Sequence, residues 1–272
     1  MKGLNNYILA FIIIALLFSL IFLTLLLISR LKKIYEKRLI DRYGPIIDKL
    51  LFSILFNVEP VHKVIESIRY QSVYKHKNFK KTLLASIVKL HEEYSGDYNE
   101  KLEDFYHQSG LIKISFLKLK SKAWHDQCEG IRELSQMNIK AAISDIKKCI
   151  WHNNATLKLE ALIAVIRLQG VEGLSVLHEY NGQINDWIQL NLIFELENTN
   201  FEAVESFSHF LKSKNESLVI FGLRLIAKFN QRQNLDQIWE LQFSDASIRV
   251  KTEALRTLER LPSQSIYNSA KS

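Results

Sequence analysis

Two short motifs hold the residues whose types and spacing suggest metal chemistry. His125-x-x-Cys128 and Cys149-x-x-His152 mirror each other across a turn near Asn138. Residues three apart share a helix face. Two such helices in an antiparallel hairpin would set His125 opposite His152 and Cys128 opposite Cys149. Two imidazoles and two thiolates at one point make a tetrahedral zinc site. The competing reading is packing. Cys128 lies on the stripe Trp124, Cys128, Ile131, Leu134, and Cys149 adjoins Ile146 and Ile150. A free cysteine commonly packs as a small buried hydrophobe. Packing accounts for both cysteines with no further assumption, so neither metal nor cofactor is expected. The two cysteines form no disulfide framework, which agrees with a reducing compartment.

Other catalytic signatures are missing from the sequence. There is no Gly-rich phosphate loop, nucleophile elbow or His-Glu-x-x-His. Carboxylates such as Glu195 and Glu197, or Glu202 and Glu205, are expected on solvated helix faces, the usual place for Glu. No catalytic residue is expected. Trp124, Trp151, Trp187 and Trp239 read either as core filling or as interface anchors. Trp187, beside a capping residue rather than within a stripe, is the candidate for an exposed anchor.

The elements that must carry these side chains are written as a repeat. Asn154-Ala-Thr-Leu157, Asn185-Asp-Trp-Ile188, Asn215-Glu-Ser-Leu218 and Asp245-Ala-Ser-Ile248 begin at intervals of 31, 30 and 30 residues. Each opens on a side-chain oxygen able to cap free helix amides. Asn154-Ala-Thr and Asn215-Glu-Ser also match a glycosylation acceptor, but their shared repeat position favours capping. Matched apolar positions follow: Leu157, Ile188, Leu218 and, one residue late, Val250, then Ala161, Leu192, Gly222 and Ala254. Leu162, Ile193, Leu223 and Leu255 lie beside the second set, and Val165, Leu196, Ile226 and Leu258 close the next turn. This is one face of an amphipathic helix, recurring with a period that marks stacked helical repeats. Shorter helical segments lie between the copies at Val171–Tyr180, Phe201–Leu211 and Leu235–Leu241. A lone hairpin cannot bury its stripe, so neighbours must stack. Small residues at Ala161, Gly222 and Ala254 permit close approach; Leu192 does not, and predicts looser packing in the second copy.

The stretches 248–255 (Ile248-Arg249-Val250-Lys251-Thr252-Glu253-Ala254-Leu255) and 157–162 (Leu157-Lys158-Leu159-Glu160-Ala161-Leu162) resemble the second helix of HEAT repeats. The units are shorter than typical HEAT repeats and lack that family's helix-bending proline. With its apolar amino-terminal segment, the whole chain resembles the membrane-anchored HEAT-repeat proteins of bacteria. The resemblance implies an all-α fold, a single transmembrane helix followed by an α-α superhelix, and a role in binding a protein partner. That partner is expected to be a membrane enzyme such as a polysaccharide-building glycosyltransferase.

Before the repeats, Tyr7 to Ser29 is a run of 23 residues without a formal charge. As a helix it spans about 34 Å, enough for a hydrocarbon core of about 30 Å, and it carries no small-residue cleavage site of a signal peptide. Only Lys2 and the amino terminus precede it, whereas Arg30, Lys32, Lys33, Lys37 and Arg38 follow. Positive residues stay cytoplasmic, so the chain is expected in the inner (cytoplasmic) membrane with its amino terminus outside and its repeats in the cytoplasm. The formal charge of +7 is unevenly placed. Arg30 to Lys122 holds 19 basic and 11 acidic residues, against 16 and 18 from Ala123 onward. A basic segment beside a span suits anionic headgroups, and Arg30, Lys32, Lys33, Lys37 and Arg38 are the lipid-facing candidates. Tyr74-Lys75-His76-Lys77-Asn78-Phe79-Lys80-Lys81 reads first as a solvated face and second as a contact for anionic lipid; without a groove-reading motif, no nucleic acid is expected.

The expected organisation is therefore a short outer terminus (1–6), a transmembrane helix (7–29), a basic membrane-proximal helical region (30–122), HEAT-like repeats (123–261) and a tail (262–272). Region 30–122 reads as irregular repeats or as a separate bundle. Gly44-Pro45 should interrupt the helix leaving the membrane. The expected function is a non-enzymatic membrane-anchored scaffold, with Lys158, Trp187, Gln189, Arg224 and Arg249 as candidate partner contacts. Two other readings stand beside it: a surface module for anionic lipids, and a metal-dependent HEAT-like enzyme using the His/Cys cluster.

Overall fold

In the computed structural model, residues 2–56, 60–180, 182–199 and 206–261 are described, with side chains throughout except at 2–10, 68 and 69. The expected tail 262–272, the apolar positions Phe201 and Val204, the carboxylates Glu202 and Glu205, and Asn57 lie outside the described residues. Among the described residues every regular element is helical, and the chain divides into units 1–112 and 113–272.

The first unit is built on α1 (Lys2–Leu55), which includes the apolar run and continues past it without a break. Its stretch from Phe11 has a mean hydropathy of 3.2 and none of that window is buried. An apolar surface exposed on every side is stable in lipid and not in water, so α1 is a candidate membrane span. A second apolar stretch, Ala155–Glu179, is half buried and forms part of a core. Residues 2–6 belong to the same helix.

Gly44-Pro45 does not end the helix; Pro45 sits inside it. Two causes act together. Gly44 has no Cβ to meet the proline ring, which removes much of the penalty on the preceding residue. Beyond it, Ile47, Leu50, Leu51 and Ile54 are buried against α4 (Lys77–Glu93) and α5 (Asp97–Gln108), and this packing holds the helical path. Tyr43 meets the edge of Phe79 with ring centroids 5.5 Å apart. Phe79, Leu83, Ile87, Leu102 and Phe105 complete the core. Short helices α2 (Val61–Glu66) and α3 (Ile68–Tyr74) close it, with the Tyr74 hydroxyl donating to the Ser109 carbonyl at 2.5 Å.

The second unit alternates long and short elements. After α6 (Ile112–Leu119), the helices α7 (Trp124–Gln136), α9 (Ala155–Gln169), α10 (Asp186–Asn198), α11 (Glu216–Lys228) and α13 (Ile248–Arg260) are the long members. The short members are α8 (Ile143–Cys149), α12 (Leu235–Phe243) and 3-10 segments at Gly170–Glu179 and Phe207–Lys212. Side-chain caps open three copies as expected. Asn154 accepts from the Leu157 amide at 3.0 Å, Asn185 from Ile188 at 2.9 Å, and Asn215 from Ser217 at 3.1 Å. The fourth cap is Ser247 rather than Asp245: its hydroxyl accepts from the Val250 amide at 3.3 Å. The late stripe at Val250 requires the helix itself to start late.

Two asparagines punctuate the unit in the same way. Asn138 and Asn230 have φ of 52° and 51° and follow α7 and α11. The next amides, Ile139 and Gln231, then reach back to Leu134 and Ile226 carbonyls at 2.9 and 3.0 Å, a left-handed C-cap. In three of the four copies the short element packs onto its long helix: α8 on α9, 207–212 on α11, and α12 on α13. In the second copy, segment 170–179 packs on the preceding α9 instead of on α10. At the matching position this copy holds Leu192, fully buried, where the others hold Ala or Gly.

Candidate partner-binding groove

Three ion pairs link long helices across the repeat. Arg132 binds Glu160; Arg167 grips Glu195 at both oxygens, with Nε–Oε1 at 2.6 Å and Nη2–Oε2 at 2.9 Å; Arg224 Nε lies 3.2 Å from Glu253 Oε1. Glu195 and Glu253 are buried, not solvated. An earlier rung joins Lys118 and the Ser115 hydroxyl to buried Glu133. Burial pushes the Glu133 carboxyl above its ordinary range, although Lys118 and Ser115 oppose the shift.

Between α10, α11 and α13 this polar seam opens into a cavity of about 670 Å³, lined by α10 residues Leu190, Ile193 and Phe194, by Arg224 and Lys228 of α11, and by Arg256 and Arg260 of α13. The cause is visible in the helix spacing. α9 packs closely on α10 and α11 on α13, whereas α10 and α11 are bridged by long polar side chains. Arg224 spans the gap, donating to Asp186 and to Gln189 at 2.8 Å each. Lys228 reaches Glu197 at 2.6 Å. Burial acts against the Arg224 charge, but its bonds to Asp186 and Glu253 outweigh that and hold its pKa above the usual value.

On α10 the outward face is apolar. Trp187, Leu190 and Phe194 are 62, 62 and 63% exposed, and their spacing of three and four places them on one stripe. Trp187 is thus exposed, as its position suggested. The other three tryptophans are also part-exposed, so none of the four fills a core.

The remaining candidates fall elsewhere. Gln189 is no surface contact: it is 2% exposed and donates to the carbonyls of Ile184 at 2.9 Å and Ser217 at 3.2 Å. A buried amide must find such partners. Lys158 is half-buried on α9, Arg249 is exposed at the start of α13, and neither lines the cavity. Arg30, Lys32, Lys33, Lys37 and Arg38 are all exposed on α1.

Of the His/Cys residues the two cysteines come near enough to interact, and the histidines do not join them. His125 is exposed beside Asp126, with Nδ1–Oδ1 at 2.8 Å, and His152 Nδ1 accepts from the Asn154 amide at 3.0 Å. Cys128 and Cys149 are buried. Burial, with a smaller contribution from Glu160, pushes the Cys128 thiol up to about 11, and burial raises Cys149 as well. Both are neutral thiols at pH 7, which removes their nucleophilic character. Among the described residues no group of three or more His, Cys, Asp or Glu is placed to hold a metal ion.

No known protein family matches the sequence, and no curated protein matches it. Among solved structures, a crystal structure of an engineered protein aligns at 14% identity over 79% of this chain and 96% of its own, with a TM-score of 0.34. That likeness is too slight to carry a fold or a function.

Proposed function

We propose that the chain is a single-pass, membrane-anchored helical-repeat scaffold. In this reading α1 holds the repeats at the cytoplasmic face of a bacterial inner membrane, and the repeats form a HEAT-like solenoid that performs no catalysis. The groove of α10, α11 and α13 receives a protein partner. The observation that carries this reading is the stripe Trp187, Leu190 and Phe194, a contiguous apolar face beside a polar cavity. Buried aromatic anchors next to Arg are the usual core of a protein interface. Tethering adds affinity by confining both partners to one surface, which suits a membrane enzyme, such as a glycosyltransferase, as the partner.

A photo-crosslinking residue at Leu190, compared with one at the equally outward Lys89 on α4, tests the proposal in native membranes. The expected result is a discrete crosslinked product from position 190 that disappears in the variant Trp187→Ser/Phe194→Ser. Products that survive this variant, or that form equally from position 89, would overturn it.

A further inference from the structure

The basic corner between α3 and α4 has no role in the groove, and its placement suggests one. The Asn78 side chain donates to the Tyr35 hydroxyl at 2.9 Å, so α4 begins beside residue 35 of α1. Tyr35 is six residues beyond Ser29, about 9 Å along the axis. The headgroup layer itself is about 5–7 Å deep on each side of the core. From there α4 runs alongside α1 away from the span. Near its far end the His91 carbonyl accepts from Asn99 at 3.2 Å, while Lys101 Nζ donates to the Leu55 carbonyl at 2.9 Å.

This parallel course sorts the charge of the unit. Lys75, Lys77 and Lys81 are exposed at the end nearest the span, and none of them is in a salt bridge among the described residues. Lys80 is engaged over the Tyr74 ring, 4.4 Å from its centroid. Lys32 and Arg38 are three residues to either side of Tyr35, and both are exposed. Four acidic residues gather at the opposite end, at Glu92, Glu93, Asp97 and Glu100, whereas near the span only Glu36 and Asp41 of α1 lie among the cations. A unit with an excess of cations toward the bilayer and of carboxylates away from it is attracted and oriented by a negative surface, and the distance involved is within about one Debye length.

We propose that Lys75, Lys77 and Lys81, together with Lys32 and Arg38, form a second membrane contact that binds anionic phospholipid headgroups of the bilayer crossed by α1. The proposal rests on the anchored reading of α1, and its test separates the two. The full chain is reconstituted into phosphatidylcholine vesicles with or without 30% phosphatidylglycerol. Each sample is extracted with alkaline carbonate and, in parallel, labelled with a lysine-reactive reagent read by peptide mass spectrometry.

The expected result is a carbonate-resistant chain whose Lys75, Lys77 and Lys81 label several-fold more slowly on the anionic vesicles. Lys89, on the far part of α4, should be unaffected, and 1 M salt should abolish the protection. Equal labelling on both vesicles in a carbonate-resistant chain overturns the headgroup site and leaves the anchor standing. Release by carbonate overturns the anchor and this site with it. Protection of the same lysines by duplex DNA, equal to that by anionic vesicles, shows a general polyanion surface and also overturns the assignment.

Discussion

At the scale of single residues, the second unit is held by paired charges as well as by apolar packing. Arg167 and Glu195 are 23 and 9% exposed and share a bidentate contact, the geometry in which a carboxylate gains most from Arg. Removing one partner strands a largely buried charge, which costs more than the pair contributes. Glu195→Ala should therefore destabilise the chain by about 2–4 kcal/mol, whereas Arg167→Met/Glu195→Leu should recover most of that loss. Denaturant midpoints of the full chain in detergent would check this; additive losses in the double variant would show that the pair is not a coupled unit. These pairs were not legible at first reading. The common behaviour of its type puts Glu195 on a solvated face, and the partner of each Glu is a whole repeat away. The offsets Arg132–Glu160, Arg167–Glu195 and Arg224–Glu253, at 28, 28 and 29 residues, are the signal that could have found them. The burial of both cysteines, in contrast, is legible from the apolar stripes on which they lie.

At the scale of elements, local chemistry decides where helices start, and side-chain size decides how near they come. Three caps were readable because an Asn at a fixed repeat position leaves few alternatives; the fourth moved to Ser247 because the apolar stripe, not the cap, fixes the helix start. Pro45 lies inside a helix, against expectation, for a related reason. A proline penalises the isolated helix, but the buried face on both sides of it is a property of the tertiary core. Spacing is clearest at Gly222, where a Cβ would come within 2.5 Å of Phe210 Cβ and 3.6 Å of the Phe207 carbonyl oxygen. Helix propensity alone would favour Gly222→Ala by about 1 kcal/mol. The steric cost of an overpacked contact is about 1–3 kcal/mol and should win, so the substitution is expected to lower the melting temperature of the chain. A rise would mean that the 207–212 segment moves away freely and that close approach at this position is not what holds the third copy together.

At the scale of the whole molecule, the anchored reading depends on which side of the membrane receives the chain after α1. Arg30, Lys32, Lys33, Lys37 and Arg38 follow the apolar run directly and are exposed on the helix. Such residues bias orientation through the charge balance within about 15–20 residues of a span. They also overlap the proposed headgroup contact, so the two roles need separate readings. Replacing Lys33 and Lys37 with Gln while adding four Lys before Tyr7 reverses the balance and leaves Lys32, Arg38 and the α4 lysines in place. Protease added outside intact spheroplasts should spare residues 30–261 of the natural chain and cut them only after lysis. In the reversed variant these residues should become accessible in a large share of molecules without lysis. If the natural chain is cut from outside, the charge argument fails for this protein, and a partner for the groove must be sought on the extracytoplasmic side. If neither chain is cut before lysis, orientation is set by the folding of the units after α1, and the flanking lysines serve the headgroups alone.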